Sequence, residues 1–134
     1  TNRYRRDESD KSVTYDRDSW LTRIEYGQRQ GTEATTPAPA RVLFDTGERC
    51  LPTEDFDCAA DNLTQANASK WPDVPFEQIC TSSTDCGMLR TSPTFFSRKR
   101  LTSITTQVRS GTSYSDVQAW TLNHAFPQTQ CHLA

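Results

Sequence analysis

The sequence predicts a mainly β fold: an antiparallel sheet or sandwich of hairpins with one short helix and long, disulfide-tethered loops. Three observations predict it. Nineteen Thr and twelve Ser stand against a single Met, and a Thr side chain, stiff at χ1, suits a pleated surface better than a helix. Apolar residues recur at alternate positions in several short stretches, the mark of half-buried strands. Five cysteines in 134 residues are many for a reducing compartment and point to a secreted, extracellular chain.

The elements follow in order. Residues 1–11 are nearly all polar or charged and read as a poorly ordered entry or an edge segment. Ser12 to Arg17 alternates weakly through Val13 and Tyr15, and Asp16-Arg17-Asp18-Ser19 supplies a turn. Trp20 to Tyr26 is a strand placing Trp20, Ile24 and Tyr26 on one face, so the two segments are expected to form a hairpin. Gln28 to Pro39, with Gly31, Pro37 and Pro39, is a loop. Arg41 to Thr46 is the next strand, with Val42 and Phe44 on one side. Between Asp55 and Lys70, Ala59, Ala60, Leu63, Ala66 and Ala68 are spaced as in a short helix, which Trp71-Pro72 would stop.

Trp71 to Pro93 is a long irregular excursion, uncommon without a tether. Thr94 to Val108 then returns to strand character with Ile104, Thr106 and Val108 aligned. Ser110-Gly111-Thr112-Ser113 is a turn, and Ser115 to Phe126 shows the strongest alternation in the chain. Those last two segments are expected to pair as a hairpin whose even residues Ile104, Val108, Trp120, Leu122 and Phe126 face the core. No domain boundary is apparent. The reading is one β-rich domain over 1–134, with 1–11 and 128–134 as tails.

Charge and length exclude several classes. Fifteen Lys plus Arg against seventeen Asp plus Glu leave a net charge of −2, and mean hydropathy is −0.77. A duplex-binding surface shows a clustered basic excess instead, so duplex nucleic acid is not an expected partner. No apolar run approaches the roughly 18 residues of a membrane-spanning helix. The chain opens at Thr1 without a leader, which suggests a processed or excised piece of a larger chain.

An odd number of cysteines leaves at least one outside an internal bridge, and spacing alone does not choose among the two-bridge patterns. Short loops favour Cys50–Cys58 and Cys80–Cys86, with Cys131 left over.

Three groups of residues could carry chemistry. Phe44-Asp45-Thr46-Gly47 at the end of an apolar strand resembles the active-site motif of aspartic proteases, where two chains each lend one Asp to a shared-proton dyad. Here Glu48 follows where Ala or Ser is preferred, and no second motif strand is present. The plainer reading makes Asp45, Thr46 and Gly47 a structural turn, with Asp45 accepting backbone N–H groups. Arg98, Lys99 and Arg100 beside Phe95-Phe96 combine cations and aromatics, as single-strand binders do, or form a solvated basic turn. Trp71, before Pro72 in a loop, is the better candidate for an exposed contact with a carbohydrate, whereas Trp20 and Trp120 belong to the core. His124 lies on an apolar strand face and must sit at its margin or be hydrogen-bonded. Cys131 and His132 are too few for a closed zinc site. No cofactor or metal is expected.

The stretch from Tyr15 to Tyr26 resembles a YD repeat of the RHS family, with Ser19 where that family prefers Gly. Across most of the chain, "WLTRIEYGQR", "APARVLFDTGERC", "WPDVPFEQIC", "SPTFFSRKRLTSITTQV" and "VQAWTLNHAF" look like successive segments upstream of RHS repeats in large secreted actinobacterial proteins. Their order is also similar to SpvB-like regions of Tc-toxin B components. The resemblance implies a secreted, non-catalytic β-scaffold that presents loops to a protein or carbohydrate surface. A dimeric aspartic protease using Asp45 and a carbohydrate-binding module using Trp71 are the alternatives from other classes.

Overall fold

The computed structural model describes residues 2–5, 12–75 and 92–125. The expected mainly β architecture is what it shows. The chain divides into two compact units, Thr1–Trp20 with Glu48–Lys99, and Leu21–Gly47 with Arg100–Ala134.

In the first unit, β1 (Asn2–Arg5) pairs antiparallel with β2 (Ser12–Tyr15), Tyr4 opposite Val13. Asn2–Arg5, within the stretch read as a poorly ordered tail or an edge segment, is thus a strand. The expected hairpin between Ser12–Arg17 and Trp20–Tyr26 does not form. β2 pairs with β1 instead, and the strand Arg23–Tyr26 pairs with the strand Ala40–Glu48. Trp20 lies outside the strands and is exposed, so its expected core position is also corrected.

The core of this unit is small and built on irregular chain. Cys50, Trp71 and Val74 are buried, with Phe56, Cys58, Leu63, Ala68 and Phe96 packed against them. The Cys50–Cys58 disulfide closes one side, as its spacing predicts. The Phe56 ring meets Trp71 edge to face at 5.9 Å. Helical spacing between Asp55 and Lys70 yields two 3₁₀ segments, Ala60–Asn62 and Gln65–Lys70, rather than an α-helix. Neither has a side-chain N-cap bond, and Trp71-Pro72 ends the second as expected. The Leu51 N–H bonds the Lys70 carbonyl at 2.7 Å, tying the disulfide loop to that end. Cys80, Cys86 and Cys131 lie outside the described residues.

The second unit holds a four-stranded antiparallel sheet in the order β3 (Arg23–Tyr26), β4 (Ala40–Glu48), β5 (Lys99–Ser110), β6 (Ser113–Thr121). At the unit boundary, Glu48, the last residue of β4, and Lys99, the first of β5, belong to the first unit. Ile24 sits opposite Val42 and Ile104 opposite Trp120. The β5–β6 hairpin turns at Ser110–Ser113 as expected, with Gly111 at φ 63°. Its register carries a break: Thr106 faces Gln118 but Gln107 faces Asp116, so Val117 is the extra residue of a bulge. Beyond it the odd residues of β6 take over the face held by Gln118 and Trp120.

The expected core face of this hairpin is not buried. Trp120 is 44% exposed and Val108 is exposed, while Ile104 and Leu122 are half-buried. Phe126 falls outside the described residues. Alternation identified the strands correctly, but it reports a period, and a period becomes burial only where another layer lies on that face.

Candidate functional site

Glu48, at the end of β4, is the centre of the best-formed polar cluster in the first unit. Its side chain is only 6% exposed. Oε1 accepts the Lys99 ammonium at 2.5 Å, and Oε2 accepts Arg98 Nη2 at 3.4 Å and Trp71 Nε1 at 3.3 Å. Burial alone would raise the carboxyl pKa. The Lys99 hydrogen bond, the Arg98 charge and the Trp71 N–H outweigh it, holding Glu48 below its ordinary 4.5.

Strand geometry brings these groups together. The Arg49 N–H bonds the Arg98 carbonyl at 2.7 Å, so residues 48–49 and 98–99 run side by side, and the opposed charges meet across the chains. Arg17 is a charge neighbour of Arg98 and Glu48, its guanidinium carbon 4.5 Å above the Phe96 ring. Burial, then the neighbouring Arg98 charge, lowers the Arg17 pKa. Nε of Arg17, Nε of Arg98 and Oδ2 of Asp18 are buried without hydrogen-bond partners. Lys99 also lies 5.9 Å from the ring centre of exposed Trp20.

Three of the sequence-derived binding residues, Trp71, Arg98 and Lys99, are thus gathered, but on a carboxylate that no motif singled out. Trp71 is corrected: at 1% exposure it offers no ring face to a sugar. Its indole fills the space beside the Cys50–Cys58 loop because the N–H can reach Glu48 there. Arg98 and Lys99 are each paired with the one Glu48 carboxylate, as an ion-pair cluster rather than an open basic patch. Glu48 itself carries one local clue, an acid at the end of the apolar strand that begins with Ala40. Its cationic partners lie 50 and 51 residues away and Trp71 lies 23 away, beyond any spacing rule.

The Asp-Thr-Gly segment belongs to the second unit and is corrected as well. It lies inside β4 rather than in a turn. The Asp45 carboxylate accepts Ser103 Oγ at 2.6 Å, and its carbonyl accepts Thr102 Oγ1 at 3.0 Å, so hydroxyls of β5 take the place of the expected backbone N–H donors. A Cβ on Gly47 would come 3.0 Å from Thr102 Cγ2, which accounts for the glycine by close strand contact. His124 is exposed, with Nε2 2.7 Å from the Leu101 carbonyl. Among the described residues no group of three or more His, Cys, Asp or Glu is placed to hold a metal ion. No helix among them is long and apolar enough to cross a membrane.

No protein-family model, curated protein or solved structure matches this chain. The Glu48 cluster therefore stands on its own chemistry. Its carboxylate is held ionised and fully engaged, which suits it to joining chain segments and unsuits it to proton transfer.

Proposed function

We propose that this chain is a secreted, non-catalytic β-scaffold, a segment of an RHS-type shell whose sheet is covered by neighbouring β-structure. One observation carries the reading. Among the described residues of the second unit, Ala38 is the one fully buried hydrophobic residue, while Ile24, Tyr26, Val108, Val117 and Trp120 are exposed. A sheet with so little of its own interior gains stability when another layer covers it. The collinear resemblance to segments upstream of RHS repeats supports the same reading.

Hydrogen exchange tests it on the chain alone and on the chain carrying its native flanking sequence. The scaffold reading expects slow-exchanging amides in β3 and β6 to appear only with the flanks. Equal protection in both would overturn it. So would proteolysis at acid pH that disappears in Asp45→Asn.

A further inference from the structure

The second unit contains a cleft of about 410 Å³ lined by Gly27, Gln28, Arg29, Thr32, Thr36, Pro37, Pro39, Arg109 and Gly111. That volume falls in the range that small ligands occupy, roughly 300–1,000 Å³. One wall is the 27–39 loop and the other is the end of the β5–β6 hairpin. Two bonds fix the walls to each other: Arg109 N–H to the Pro39 carbonyl at 2.8 Å, and the Tyr114 hydroxyl to the Ala38 carbonyl at 2.7 Å.

The loop is itself braced. Thr32 and Thr36 N–H groups bond the Arg29 and Thr32 carbonyls, and Thr32 Oγ1 donates to the Arg29 carbonyl at 2.8 Å. Gly27, at φ 88°, lets the chain pass so close to Pro39 that a Cβ would lie 2.8 Å from its ring. The cleft is therefore formed in advance of any ligand.

Its charge is one-sided. Two arginines, one from each wall, line it, and no carboxylate does. Neither guanidinium forms an ion pair or hydrogen bond among the described residues. Glu33, in the same loop, is exposed and outside the lining. The remaining surface is glycine backbone, proline rings, an amide and hydroxyls, which suits a small, flat organic body.

We propose that this cleft binds a small organic oxyanion, a carboxylate or phosphate monoester whose head is clamped between Arg29 and Arg109 while its body lies against Pro37 and Pro39. Guanidinium groups are suited to such heads because their planar N–H pairs match two oxygens at once. The proposal is independent of the scaffold reading: it rests on the loop and hairpin end, not on the uncovered sheet.

The test is a titration of the folded chain with benzoate, phenyl phosphate, inorganic phosphate and neutral benzamide, followed by amide NMR shifts. The expected result is saturable shifts at residues 27–39 and 109–111 with benzoate or phenyl phosphate, and none with benzamide. Whichever acid binds more tightly identifies the head group. Arg29→Ala and Arg109→Ala, both at exposed side chains, should each weaken binding about ten- to a hundredfold, with unchanged spectra elsewhere. Arg23→Ala, on β3, should leave binding intact. Equal binding of benzamide, undiminished binding in both arginine variants, or no shifts with either organic acid would each overturn the proposal. Inorganic phosphate binding as tightly as phenyl phosphate would overturn the role given to the proline wall.

Discussion

Replacing Glu48 by Gln removes one charge and nearly nothing else. In the native protein that carboxylate faces Lys99 at 2.5 Å and Arg98 at 3.4 Å. Those side chains are only 28% and 22% exposed, so the cations stay largely desolvated after their counter-charge is gone. Removing one partner of a fully buried pair costs about 3–5 kcal/mol. Partial access of water to both cations, and the oxygen that Gln keeps for the Trp71 N–H, reduce this to about 2–3 kcal/mol.

The pH dependence gives a second, sharper reading. The folded pKa of Glu48 lies below its ordinary 4.5, so its contribution is complete above that value. It is lost as the pH falls through the lowered folded pKa. Urea unfolding followed by tryptophan fluorescence should show wild type well above Glu48→Gln at pH 7. The gap should close as the medium is taken from pH 4.5 towards strong acid. No gap at neutral pH, or one that persists undiminished in acid, would refute the assignment of Glu48 as the ionised centre of this cluster.

Trp71→Ala should cost roughly 3–5 kcal/mol as a large deletion from a closed site, whereas Trp120→Ala, at an exposed ring, should cost about 1 kcal/mol or less; thermal melts of the pair rank them. Non-reducing peptide mapping should recover Cys50 joined to Cys58. Changing both cysteines to Ser should lower stability by roughly 2–3 kcal/mol in the chain-entropy account, read from denaturant midpoints. Gly27→Ala should destabilise more than Gly31→Ala. Both residues hold positive φ, worth about 1–2 kcal/mol to an L side chain, but a Cβ at Gly27 also strikes Pro39 while Gly31 faces open space.

The strands were largely legible because alternation and turn chemistry are local properties. Thr102 to Val108 and the segment after Ser113 read as a hairpin, and Ile104 does face Trp120. The Cys50–Cys58 bridge was legible for the same reason, since a short loop brings its ends together cheaply. Burial was not legible, because it depends on what lies across a face. Trp71, in irregular chain beside a proline, is buried by a disulfide loop and a distant carboxylate. Trp120, in the cleanest alternation of all, is not. The same limit hid Glu48, whose cationic partners come from a segment about fifty residues on. Arg29 and Arg109 escaped notice because long-range contacts, the Pro39–Arg109 and Ala38–Tyr114 bonds among them, bring their loop and strand together.

The extra residue Val117 also has a bearing on how the sheet can grow. A straight incoming strand matches donors to acceptors at a constant step along its neighbour. The outer rim of β6 changes step halfway, so such a strand would lose its match on one side of Val117. Copies of the chain are thereby discouraged from zipping together along this border into a continuous ribbon. Whatever joins the sheet at β6 finds easier access from above or below than end-on, and the exposed Trp120 ring stands beside that approach.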